Sequence, residues 1–69
     1  MMKNSIKVER ARKDLTQAQL AAMAKVSRQT INAIELGKYV PSTVLSLRLA
    51  VIFGVEVGQL FELEASDWE

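Results

Sequence analysis

A chain of 69 residues has room for one small domain and for only a thin margin of stability. It contains no cysteine and no histidine, which excludes disulfides, thiolate chemistry, Cys/His zinc sites and imidazole catalysis. At 49% hydrophobic and 25% charged residues the composition is that of a globular domain, not a disordered one. The longest apolar runs, such as Leu49 to Phe53, fall far short of the ~18 residues that span a bilayer. No apolar h-region follows Met1-Met2-Lys3-Asn4, so a cytoplasmic location is expected. The net charge of +1 conceals a polarity: residues 1–48 carry all nine bases and three acids, residues 49–69 five acids and no base. That distribution suits a polyanion-facing part and an acidic tail held away from it, although solubility alone would also account for it.

The first expected element is a weakly amphipathic helix from Ser5 to Lys13, carrying Ile6 and Val8 ahead of Leu15. Asp14, which tolerates a left-handed conformation, ends it. Thr16 is the next start signal, with Gln19 three residues on to complete a capping box. Leu20, Met23 and Ala24 then fall on one face. Val26-Ser27 interrupts this helix, and Ser27 caps a third one whose buried side is Ile31 and Ile34 and whose end is Gly37. Ser42, after Pro41, caps a fourth helix bearing Leu45, Leu49, Ile52 and Phe53, stopped by Gly54. A short helical turn covers Val57 to Leu60, weakened by Gly58. From Phe61 to Ser66 apolar and polar residues alternate at strand period. An isolated strand is unstable, so it needs a partner, which Met1 to Asn4 would supply from the same or a neighbouring subunit. The expected fold is therefore all-α, a compact bundle of five short helices in a single domain over 1–69, with a small β-ribbon of its terminal segments.

Residues 16–36 read as helix, tight turn, helix. So short a connection forces a steep crossing, with small residues such as Ala21 and Ala24 at the contact. Burying Leu20, Ala24, Val26, Ile31 and Ile34 leaves Arg28, Gln29, Asn32 and Ala33 outward on the second helix of the pair. A guanidinium and two amides are the groups that make bidentate contacts with guanine and adenine edges in the major groove.

The run Leu15-Thr16-Gln17-Ala18-Gln19-Leu20-Ala21, followed by Val26 to Glu35 and Gly37-Lys38-Tyr39-Val40-Pro41-Ser42, resembles the Cro/C1-type (XRE) helix-turn-helix family. The resemblance extends over residues 6–61 and is greatest to short, single-domain members. It implies a lambda-repressor-like fold and a sequence-specific regulator of transcription that binds double-stranded DNA. It further implies that Gln17 bonds a DNA phosphate and that Ser27, Arg28 and Gln29 reach bases or nearby phosphates. Asn32 would line the groove, and Lys38 and Tyr39 would meet the DNA backbone. A structural pair between Arg10 and Glu35 is implied as well. Two positions depart from the pattern: Lys25 stands where this turn often has glycine, and Glu9 where leucine is common.

A recognition helix of this length reads few base pairs, so a homodimeric repressor is expected, its interface drawn from Val55, Val57, Leu60, Phe61 and Leu63. Trp68 reads either as an exposed tail or as an interface anchor. The competing reading is an antitoxin-like or adaptor module whose tail, Phe61 to Trp68, binds a partner protein. No nucleophile–base constellation, phosphate loop or metal set is present in the sequence, so neither an enzyme, a cofactor, a metal nor a small-molecule ligand is expected.

Overall fold

A computed structural model describes residues 1–69. In chain order the elements are β1 (Lys3–Asn4), α1 (Ile6–Arg12), α2 (Gln17–Ala24), α3 (Arg28–Glu35), α4 (Thr43–Phe53), α5 (Val57–Leu60) and β2 (Phe61–Glu62), with a closing 3-10 turn at Ala65–Trp68. None of the helices is long and apolar enough to cross a membrane.

Three hydroxyl residues start three of the helices, as the sequence predicts. Thr16, Ser27 and Ser42 sit in extended backbone, and their side chains accept from the N–H of Gln19, Thr30 and Leu45. Each satisfies one of the donors that a helix leaves free at its start. At Thr16 the box is complete, because Gln19 Oε1 also accepts from the Thr16 N–H at 2.8 Å. The exits use the left-handed region: Asp14, Lys25, Gly37 and Gly54 all have φ between 55° and 74°. Lys25 at φ 62° makes the sharp stop between α2 and α3, at a cost of about 1 kcal/mol for a residue with a Cβ.

The core is one cluster, drawn from every helix. Ile6, Leu20, Ile31, Ile34, Leu49 and Leu60 are its largest fully buried side chains. Ala21 and Ala24 of α2 are buried among them, and their small size lets the α3 backbone approach. Ser46 is buried too, its hydroxyl donating to the Ser42 carbonyl at 2.9 Å. No polar side-chain atom is buried without a partner.

The terminal segments form the expected ribbon within one chain. β1 and β2 pair antiparallel with Lys3 opposite Glu62 and Asn4 opposite Phe61. Asn4 fastens the ribbon to the bundle: its Nδ2 donates to the Ile34 carbonyl at 2.8 Å, and its Oδ1 accepts from the Ile6 N–H. The Ser5 N–H donates to the Leu60 carbonyl alongside.

Four expectations need correction. Val8 is exposed, since it stands two residues from the buried Ile6 and so on another side of the helix. Met23 is half exposed: the buried stripe of α2 is centred on Leu20, Ala21 and Ala24, which face α3 and the core. The strand period of residues 61–66 does not become a strand of that length. Only Lys3 and Asn4 offer partners, and the Glu64 N–H instead takes the Asp67 carboxylate at 2.8 Å as the chain curls into its last turn. Leu60, assigned to an interface, is fully buried; Val55 and Phe61 are half-buried against the same core.

Candidate nucleic-acid interface

The α2–turn–α3 unit is held by packing on one side and by a polar network on the other. Arg10 of α1 forms a two-pronged pair with Glu35 at the end of α3, its Nε and Nη2 lying 2.7 and 3.1 Å from the two carboxylate oxygens. Its remaining Nη1 donates to the Leu15 carbonyl at 2.9 Å. The side chains are 16% and 7% exposed, so the pair is largely shielded. The hydrogen bonding to Glu35 lifts the Arg10 pKa further above its ordinary alkaline value, with the carboxylate's charge adding to it against the cost of burial. Three elements are thereby fixed in one orientation, with Nε, Nη1 and Nη2 of Arg10 each engaged inside the protein. The sequence-level pairing of these two residues is what the structure contains.

Glu35 also receives Gln17, the first residue of α2, whose Nε2 donates to Glu35 Oε1 at 3.3 Å and to Asn32 Oδ1 at 3.1 Å. Both N–H groups of the Gln17 amide are thus committed inside the protein. The Gln17 and Ala18 backbone N–H groups have no acceptor in the chain, as expected for the first turn of a helix. They open beside a shallow cleft of about 420 Å3 lined by Arg10, Thr16, Gln17, Ala18 and Arg28 among others. A cationic side chain and two free N–H groups at a helix start favour an anion.

On α3 the side chains of Arg28 and Gln29 are exposed, and those of Asn32 and Ala33 are half exposed, while Ile31 and Ile34 are fully inward. Arg28 has no carboxylate within ion-pair distance. Ser27 is occupied as the cap, and its Oγ lies 3.0 Å from the Thr30 hydroxyl; Thr30 turns to that cap instead of bonding back into the helix. Lys38 and Tyr39 follow α3 and are exposed, Lys38 after the turn that closes through its N–H to the Ala33 carbonyl at 2.9 Å. Of the seven predicted contact residues, the structure places Gln17, Ser27, Arg28, Gln29 and Asn32 on α2 and α3 or at their starts, and Lys38 and Tyr39 just beyond. The internal engagement of Gln17 with Asn32 is the feature that sequence reasoning missed. Its only sequence signal is a polar Asn one turn from the Glu that pairs with Arg10.

A capped helix, a left-handed turn and a second helix with a polar outward face, packed rigidly on a third, define a helix-turn-helix DNA-binding domain. The comparisons agree. The helix-turn-helix family profile matches residues 6–60. An uncharacterized HTH-type transcriptional regulator of Methanocaldococcus jannaschii is 51% identical over 63 residues, which is 91% of this chain and 96% of that protein. The uncharacterized HTH-type transcriptional regulator YgzD of Bacillus subtilis is 43% identical, with the same coverage of 91% and 96%. A crystal structure from Bacteroides fragilis, provisionally assigned as a DNA-binding protein, superposes with a TM-score of 0.80 at 34% identity, covering 90% of this chain and 100% of that one. The chain belongs to the Cro/C1-type helix-turn-helix family of DNA-binding transcriptional regulators, which are not enzymes.

Proposed function

We propose that this chain is a homodimeric, sequence-specific repressor that reads the DNA major groove with α3 and works at the nucleoid in the cytoplasm. The observation that carries the reading is the rigid outward face of Arg28, Gln29 and Asn32, set beside the free N–H groups that start α2. Arg28 and Gln29 supply bidentate donors and acceptors for base edges. The backbone N–H groups of Gln17 and Ala18 take one phosphate, with Ser27, Lys38 and Tyr39 on neighbouring ones; the amide of Gln17 is already spent. Phosphate contacts position the helix and base contacts choose the site.

Dimerisation follows from reach. The eight residues of α3 span about 12 Å, or roughly three to four base pairs at 3.4 Å each, which is too short a word for a unique site. Two copies about 34 Å apart double it. The surface best suited to a two-fold contact is the groove of about 410 Å3 lined by Val40, Pro41, Leu47, Val57 and Phe61, with exposed Leu63 as a further apolar side chain. A two-fold interface sets a patch against its own copy. The other apolar groove, by Met23, Val44 and Val51, is edged by Lys25 and Arg48, and would bring like charges together. A dimer seated on its operator blocks other proteins by occupancy alone, and this suffices for repression.

Light scattering of the protein tests the assembly. A mass near twice 7.7 kDa, falling to that of one chain in Val57→Glu, is the expected result. A monomer at the concentrations that protect DNA would refute the dimer. Footprinting should show two half-sites one helical turn apart.

A further inference from the structure

The groove of about 500 Å3 between the end of α2 and the outer side of α4 leaves an apolar patch open to solvent. Met23, Val44, Leu47 and Val51 are each at least half exposed there, Val51 at 80%. Apolar side chains gathered in this way, and not scattered singly, mark a contact surface. Lys25 and Arg48 edge the groove, and neither has a carboxylate within ion-pair distance. The surface that complements it is therefore apolar with acids around it, and the chain carries such a segment at its other end. Leu63 and Trp68 are exposed, Trp68 at 78%, and Glu62, Glu64, Asp67 and Glu69 stand among them. Lys3, opposite Glu62, and the Met1 ammonium, near Glu64 and Asp67, offset these acids only in part. Within one chain Trp68 does not line the groove, which leaves the groove free for the tail of another.

We infer that this groove seats the C-terminal segment of a second copy: Trp68 of one chain enters between Val44, Leu47 and Val51 of the other, and the acids beside it lie against Lys25 and Arg48. The inference rests on the homodimer reading and extends that interface across α4. Leu47 lines both this groove and the one assigned to the two-fold contact, so only the body of α4, about 10 Å across, separates them. Phe61 of the ribbon borders the two-fold groove, and Trp68 follows the last ribbon residue, Glu62, by six positions. With the 3-10 turn kept, such a segment reaches roughly 12 Å, enough to cross the α4 of a partner. In a two-fold pair each copy gives one tail and takes the other, so acids meet cations and the two basic-edged grooves never face each other. Each buried Trp adds about 150–250 Å2 toward the roughly 800 Å2 that a stable interface takes from each partner.

Trp68 is the one tryptophan of the chain, so its fluorescence reports on the tail directly. The wild type, Arg48→Glu and Trp68→Ala are compared over a range of concentrations, with light scattering on the same samples. The side chains of Arg48 and Trp68 are exposed, and neither forms an ion pair within the fold, so both variants should fold, as circular dichroism would verify. In the wild type the emission should shift to the blue and lose its quenching by acrylamide as the dimer forms. In Arg48→Glu alone the emission should stay that of a water-exposed indole. Adding Trp68→Ala, which carries no tryptophan but an intact groove, should restore the blue shift to Arg48→Glu, because the mixed pair regains one tail in one groove. A wild-type dimer whose Trp68 stays as exposed as in the monomer would overturn the inference and leave the dimer standing. So would a blue shift unaffected by Arg48→Glu, one already complete in the monomer, or one that Trp68→Ala fails to restore. A wild type that stays monomeric throughout would overturn the dimer reading itself, and this inference with it.

Discussion

Arg28 and Arg10 are both basic and both border the cleft at the start of α2, yet their surroundings give them opposite work. Arg28 is exposed and unpaired, whereas Arg10 is locked onto Glu35 and the Leu15 carbonyl. Arg28→Ala should leave thermal unfolding unchanged and cost about 1–3 kcal/mol of specific binding; equal affinity of the two proteins for a selected site would refute the base contact. Arg10→Met should do the reverse. Removing one partner of a shielded pair costs about 3–5 kcal/mol, a large part of the stability of so small a domain, so the variant should be partly unfolded by circular dichroism at room temperature. Because the shift at Arg10 is upward, the stability it brings is present at neutral pH and below its ordinary pKa, and is lost only as pH rises through the strongly alkaline range. Lys25 gives a prediction of opposite sign. With φ at 62° it holds a conformation that suits glycine, and Lys25→Gly should raise the melting temperature by a few degrees, for a gain of about 0.5–1 kcal/mol. A fall in melting temperature would mean that the lysine stem packs usefully against α4.

At the scale of elements, the starts and stops of helices were the most legible features of the sequence. Thr16, Ser27 and Ser42 act as caps because a hydroxyl before an apolar run has few better uses, and Gly37 and Gly54 end helices with positive φ for an equally local reason. Ser27→Ala should cost about 1 kcal/mol, read as a lower melting temperature, and it would free the Thr30 hydroxyl as well. What local pattern did not give was the choice of face in short helices. Over the eight residues of α2, Ala21 and Met23 flank the line of Leu20 and Ala24 on opposite sides, and only the neighbouring helices decide between them. The ribbon was legible as alternation but not in length, since a strand ends where its partner does, at Lys3 and Asn4. Asn4 as a clasp on the Ile34 carbonyl and Gln17 as a link between Glu35 and Asn32 were not legible at all. They join residues distant in sequence, and nothing short of the packed fold brings them together.

The whole molecule measures 35 × 22 × 20 Å, so two copies placed side by side span the separation of adjacent major grooves on one side of the duplex. The charge polarity of the sequence has its place in this picture. The acids of residues 56–69 follow α4 and accompany the ribbon, where only Lys3 stands opposite them, while Arg10 and Arg28 border the free N–H groups at the start of α2. The exposed Trp68 belongs to that acidic end. Sequence-specific recognition by α3 can be decided by a single titration. The wild-type protein is titrated into a duplex selected from a random library, and into a shuffled duplex of the same composition, at about 50 and 200 mM salt. Binding to the selected duplex should be tighter by about a thousandfold or more than to the shuffled one, and should weaken with salt in proportion to the phosphates contacted. Equal affinity for the two duplexes, or no binding to either at the lower salt, would contradict it.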